Sequence, residues 1–186
     1  QPTADDVVSA IETAIKSGVD TKNTEIAFFG GSFTAIDREY MISLLDATKP
    51  YIKDFYGIRC STRPDAINTE VLSLLKSYGV TSIELGAQSM SDRVLELNER
   101  GHTSVDVEIA SKLIKEKGFS LGLQMMTGMY GSNPDLDLDT ARKIAKLSPD
   151  TVRVYPTITM KNTPLAHLYQ SGKYVPYDEE TTVQVC

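Results

Sequence analysis

The stretch Glu25–Phe33, EIAFFGGSF, decides the fold. Its apolar run, Ile26 to Phe29, stops on Gly30-Gly31. A short apolar run bounded by a turn signal suits a strand buried in a parallel sheet. Two glycines at the carboxyl end of such a strand leave the backbone open to a ligand and reach angles that other residues avoid. Ligand sites of parallel α/β folds lie at that end. A Gly-Gly pair alone is equally a plain strand-to-helix turn, because isolated glycine motifs are weak. The functional reading therefore rests on the other strand ends.

Working outward, Thr3 to Lys16 has helical spacing through Val7, Val8, Ile11, Ala14 and Ile15, with Thr3 or Asp5 as cap and Gly18 as stop. After the Gly-Gly turn a helix from about Asp37 buries Tyr40, Met41, Leu44 and Leu45, and Pro50 breaks it. Gly57–Ser61 predicts a second strand, followed by an Asn68-capped helix through Val71, Leu72 and Leu75. Val80–Leu85 is the third strand, a short helix spans Ser91–Leu97, and a longer one spans Ser104–Lys117 with Val105, Ile109 and Leu113 inward. Phe119–Met125 is the fourth strand. It is followed by the glycine-rich TGMYGSNP and a helix over Leu136–Leu147 with Ala141, Ile144 and Ala145 inward. Thr151–Tyr155 is the fifth strand, and Pro164 and Gly172 bracket a short last helix. Strand–helix alternation of this kind reads as βα units on a parallel sheet. Five strands cannot close an eight-stranded barrel, and GGSFTA lacks the G-x-G-x-x-G spacing of a dinucleotide fold. The expectation is a parallel α/β fold, an open and curved partial barrel forming one domain over 1–186.

The 186 residues carry 19 Lys plus Arg against 25 Asp plus Glu, a net charge of −6, which argues against a broad phosphate-binding surface and leaves a local basic patch open. No apolar run approaches the roughly 20 residues that span a membrane, and QPTADD is not a signal peptide. Cys60 and Cys186 form no disulfide or metal spacing, so a cytoplasmic setting is expected. Cys60, inside a strand, reads as packing. His102 reads as ordering its loop and His167 as structural. Met125, Met126 and Met129 read as core rather than as a copper box. Asp135, Asp137 and Asp139 lack the Gly and Glu of a calcium loop and read as acidity at a helix start. Tyr155 and Tyr174 suit either base stacking or filling the barrel mouth.

Taken in order, FFGGSF, STRPD, IELGAQS with ERGHT, LGLQMMTGMYG, and VRVYPTITMKNTPL with QSGKYVPY resemble the core of radical S-adenosylmethionine (SAM) enzymes. The branch typified by the catalytic subunit of Elongator is the nearer likeness, and oxygen-independent coproporphyrinogen III oxidase is more distant. The resemblance covers most of the chain from Glu25 onward. It implies reductive cleavage of SAM to a 5′-deoxyadenosyl radical that abstracts hydrogen from substrate, an electron donor, and an activity in tRNA modification.

The family holds a [4Fe–4S] cluster on a CxxxCxxC loop after a first strand; no such pattern occurs in these residues. The expectation is that this chain is a piece of a longer protein beginning after that loop, inactive alone, with an exposed first strand edge open to self-association. By the same resemblance Gly30, Gly31 and Ser32 match the motif whose backbone meets SAM's amino group, with Ser32 replacing a frequent acid. Ser61 stands where relatives often place a ribose-binding Glu. Gln88 matches a polar residue at the SAM site and Arg100 a basic residue paired with the SAM carboxylate, a task suited to a planar fork of donors. Gln124 stands where some relatives have an Asp near the ribose, and the loop from Gly128 to Gly131 packs beside adenine. Three other readings stay open: a haem-related relative of coproporphyrinogen oxidase, a non-catalytic barrel binding a nucleotide or partner, and an aldolase-type barrel, which would want a strand-end lysine.

Overall fold

The Glu25 stretch folds into β1 (Glu25–Phe28) and a turn at Gly30-Gly31 in which Gly30 takes φ +100°. A computed structural model describes all of residues 1–186. Its elements alternate as α1 (Ala4–Lys16), β1, α2 (Arg38–Asp46), β2 (Gly57–Thr62), α3 (Thr69–Ser77), β3 (Val80–Gln88), α4 (Asp92–Leu97) and α5 (Ser104–Glu116). The chain continues with β4 (Ser120–Thr127), α6 (Pro134–Lys146), β5 (Thr151–Pro156), α7 (Pro164–Gln170) and α8 (Glu179–Val185). The helix starts are chemically specified. Thr3 with Asp6 and Thr103 with Asp106 form capping boxes, and Asn68 and Asn133 accept from the third helical N–H.

All five strands are parallel and lie in the order β1-β2-β3-β4-β5, each pairing with the next. Successive side chains of a strand point to opposite faces. One face carries Ile26, Ile58, Cys60, Ile83, Leu85, Leu121, Leu123 and Met125, which join the helices' Leu44, Leu45, Leu72, Leu75, Val107 and Ile114 in one apolar core. The sheet curls around its other face far enough for Arg153 of β5 to lie over the ring of Phe29, just past β1, with 5.0 Å from guanidinium carbon to centroid. The architecture is a partial (β/α) barrel of TIM type. No helix is long and apolar enough to cross a membrane.

Two readings of helix faces are corrected, and one helix beyond the expected last one is found. Val105 and Ile109 of α5 are both 55% exposed, and its core side is Val107, Ala110, Ser111 and Ile114. Both sets have helical spacing, and the set with small residues lets α5 approach β3 and β4. Ala145 of α6 faces solvent while Asp137 and Thr140 are buried. Helix α8 has too few apolar residues to be read from periodicity.

Candidate active site

The concave face is where the strands differ from an ordinary core. Following the register, it carries Glu25 and Ala27 of β1, Gly57, Arg59 and Ser61 of β2, and Ser82, Glu84 and Gly86 of β3. Gly122 and Gln124 of β4 and Thr151 and Arg153 of β5 complete it. It is polar and rich in small residues, the opposite of the helix side. A charged row crosses it: Arg59 donates to Glu25 Oε2 through Nε (2.7 Å), with Nη2 in ion-pair contact 2.6 Å from the same oxygen, and Arg153 Nε stands 3.4 Å from Glu84 Oε2. Glu84 is 1% exposed, and neither of its oxygens has a hydrogen-bond partner. Gly122 makes room for it, since a Cβ there would stand 3.3 Å from Glu84 Cγ. Burial pushes the Glu25 carboxyl up. Hydrogen bonds from Ser82, Arg59 and Thr81, with the Arg59 charge, outweigh that and hold it below its ordinary value.

The carboxyl ends of the strands hold the residues expected at a ligand site. Gly30, Gly31 and Ser32 line a recess of about 220 Å³ with Phe28, Phe29 and Tyr40, and space is open beside both glycine Cα atoms. Gln88 closes β3 with φ +63°, unusual for a side chain, in a tight turn where the Ser89 N–H donates to the Ala87 carbonyl at 2.7 Å. The Gln88 amide folds over Gly86, where a Cβ would meet Gln88 Nε2 at 2.7 Å, and its buried Oε1 has no partner. Backbone strain combined with an unpaired buried group is characteristic of functional positions. His102 orders this turn through Nε2, 3.1 Å from the Ala87 carbonyl, as its sequence position suggested.

Arg100 follows α4 in a loop tied to the glycine-rich segment by Asn98, whose amide donates to the Tyr130 carbonyl at 2.8 Å. It lines a cleft of about 240 Å³ with Asn98, Met126, Met129, Thr157 and Met160. Its Nε is buried without a partner, and no ion pair forms. Burial and then the neighbouring Arg63 charge push its pKa down. Arg63 is occupied by Asp65, to which it donates at 2.9 and 2.6 Å. Ser61 and Gln124 sit on the concave face, half-buried. Gly128 begins the glycine-rich loop with φ +69°.

The structure thus gathers all eight candidate residues on the concave face and the carboxyl-end rim, but not into one pocket. Gly30 to Ser32 line one recess and Arg100 another. An amino-acid carboxylate suits Arg100, an ammonium group suits the open Gly-Gly backbone, and the unpaired Gln88 oxygen accepts a hydroxyl or amine donor. The residues fit SAM. They do not fit an iron–sulfur cluster: Cys60 is buried, with burial pushing its thiol up to about 12, Cys186 is exposed, and no group of three metal-binding side chains occurs.

The family model described as the Radical SAM superfamily matches residues 1–144, and that described as the Radical_SAM C-terminal domain matches residues 149–186. The chain belongs to the radical SAM superfamily. β5 lies in the second matched region and pairs with β4 of the first, so one sheet runs through both. The core is 31% identical to a tRNA uridine(34) acetyltransferase of Methanocaldococcus jannaschii over 94% of this chain and 36% of that protein. It is 27% identical to human Elongator complex protein 3, again over 94% of this chain and 36% of that protein. The chain therefore spans about a third of the length of these relatives. Among solved structures, Elp3 of Methanocaldococcus infernus, with an N-terminal deletion, superposes with TM-score 0.84 at 28% identity, covering 97% of this chain and 47% of that one. Coproporphyrinogen III oxidase of Escherichia coli shares the fold, with TM-score 0.71 at 18% identity over 98% of this chain and 43% of that one. Radical SAM enzymes use SAM and a [4Fe–4S] cluster, as the sequence resemblance implied.

Sequence reasoning missed Glu84, Arg59, Arg153 and the role of Asp137. The first two had a signal: a charge inside an apolar strand run, as in VTSIELGA and GIRCS, belongs on the side away from the helices. Asp137 does lie in the first turn of α6, as read, but its carboxylate is 2% exposed and binds three donors of the neighbouring loops.

Proposed function

We propose that this chain is the SAM-binding and substrate-facing core of a radical SAM enzyme that modifies tRNA. The observation that carries the reading is the half-buried, anion-free guanidinium of Arg100 on the rim that also holds the open Gly30-Gly31 backbone and the unpaired Gln88 amide. In this reading Arg100 takes the SAM carboxylate and Gly30 to Ser32 the amino group. Ser61 and Gln124 face the ribose, Gln88 orients the ligand, and Gly128 borders the adenine. SAM with a reduced [4Fe–4S] cluster supplies the hydrogen-abstracting radical chemistry. The chain's part is to bind and orient SAM and to keep water from the concave face, with cluster thiolates supplied from outside residues 1–186. An electron donor serves the cluster. The names of the curated relatives support tRNA as the substrate. Two free cysteines suit a reducing cytoplasm, and the open edge of β1 offers a surface for self-association.

The test is titration calorimetry on the cluster-reconstituted parent protein. Arg100→Ala weakens SAM binding by about 2–4 kcal/mol, since a carboxylate loses its charged partner. Unchanged affinity overturns the assignment.

A further inference from the structure

The glycine-rich loop after β4 is held by the far end of the chain. The Gly128 N–H donates to Asp137 Oδ2 at 2.9 Å, and its carbonyl accepts from Tyr174 Oη at 2.8 Å. The Tyr177 ring covers its Cα, where a Cβ would stand 3.1 Å from the ring. Tyr177 Oη in turn donates to Asp137 Oδ2 at 2.8 Å, and Ser132 Oγ closes the loop onto Asp137 Oδ1 at 2.5 Å. Both backbone polar groups of Gly128 are thus satisfied by buried side chains, and the side where a Cβ would stand is covered by the Tyr177 ring. Such anchoring selects one of the several backbone conformations that a glycine can adopt. Both tyrosines belong to the segment after β5, which together with β5 is matched by a different family model from residues 1–144. Tyr130 of the same loop meets Tyr174 edge-on, with ring centroids 6.3 Å apart.

We propose that Tyr174, Tyr177 and Asp137 are positioning residues that fix the Gly128–Ser132 loop in the shape SAM's adenosyl end requires. This rests on the reading of the rim as a SAM site. None of the three need touch the ligand; they act through Gly128. The carboxyl-terminal segment is therefore part of the binding site even though it lies outside the strands that bear the ligand-facing residues.

The experiment compares SAM with free methionine, which lacks the adenosyl group, as ligands of the cluster-reconstituted parent protein. A Tyr174→Phe/Tyr177→Phe variant keeps both rings and loses both hydroxyl hydrogen bonds. It should bind SAM about tenfold more weakly, the scale of a few lost hydrogen bonds, with methionine affinity unchanged and amide exchange at Gly128–Ser132 accelerated. Asp137→Asn should act in the same direction, and Arg100→Ala should weaken both ligands. Unaltered exchange, or accelerated exchange with unaltered SAM affinity, overturns the inference alone. An equal loss of SAM and methionine assigns the residues a merely structural role and overturns it too. A parent protein that binds no SAM defeats the functional reading and this inference with it.

Discussion

Glu25 shows how one residue ties the barrel's edge to its floor. Its carboxylate sits at the start of β1 and collects Arg59 from β2 and the hydroxyls of Thr81 and Ser82 from β3. Because these partners outweigh burial and depress its pKa in the folded state, the unfolded chain takes up the proton first as pH falls. The stability Glu25 contributes is complete above its ordinary value of 4.5 and is lost as pH falls from there through the depressed folded value. We predict that chemical denaturation measured between neutral pH and about pH 3 shows this loss, and that Glu25→Gln flattens that part of the profile. A parallel profile for the variant would remove Glu25 from the account. Residues of this kind were only half legible in the sequence. A strand's alternation tells which side chains share a face, yet Glu84 and Asp137 gain meaning only from partners far off in sequence, Arg153 for the first and Tyr177, 40 positions away, for the second. Gly30 was legible because a Gly-Gly pair ends a strand, whereas Gln88 and Arg100 were legible only through the family resemblance; they stand at the end of β3 and in the loop after α4. His102 was legible because an imidazole can both donate and accept, which suits it to ordering a loop.

At the scale of elements, the strands were clear because each short apolar run is cut by glycine or proline. The helix faces were less clear, since α5 and α6 carry small and polar residues toward the sheet that periodicity counts as outward. Close approach, which periodicity does not encode, decides these cases. The pairing of β2 with β3 makes the same point. Gly57 opens β2 against Thr81, and a Cβ at Gly57 would come within 2.8 Å of Thr81 Cβ, beside a register shift at Ile58/Arg59. Neither atom is the end of a flexible side chain, so backbone must move. We predict that Gly57→Ala destabilises the fold by about 1–3 kcal/mol, read as a lowered melting temperature. The same change at Gly31, beside which space is open and φ is not positive, should be close to neutral. Equal effects at the two positions would show that packing against β3 is not what requires glycine at Gly57.

At the scale of the molecule, the rim proposed for SAM stands beside an observation: residues 1–186 hold no group of three side chains that could bind a metal. Cluster ligation needs thiolates gathered on one loop. Cys60 is sealed in the apolar core with its thiol pushed up to about 12, so at neutral pH it is protonated and out of reach. Cys186 lies at the end of α8, with its sulfur 3.4 Å from Thr127 Oγ1, on the opposite side of β4 from the concave face. β3 lies between the strand of Cys60 and the strand that Cys186 adjoins, and one thiol is buried while the other is exposed. We predict that residues 1–186 alone, reconstituted anaerobically with iron and sulfide, stay colourless, and that a thiol reagent titrates Cys186 at once but Cys60 only on unfolding. The free edge of β1 and the apolar groove of about 340 Å³ between it and α1, lined by Val7, Ala10, Ile11 and Phe55, remain uncovered in these residues. If iron binding needs a further segment, supplying a CxxxCxxC-bearing polypeptide in trans should restore both colour and SAM binding. A stoichiometric cluster on residues 1–186 by themselves, or rapid modification of Cys60 in the folded state, would contradict this account of how the molecule divides its chemistry.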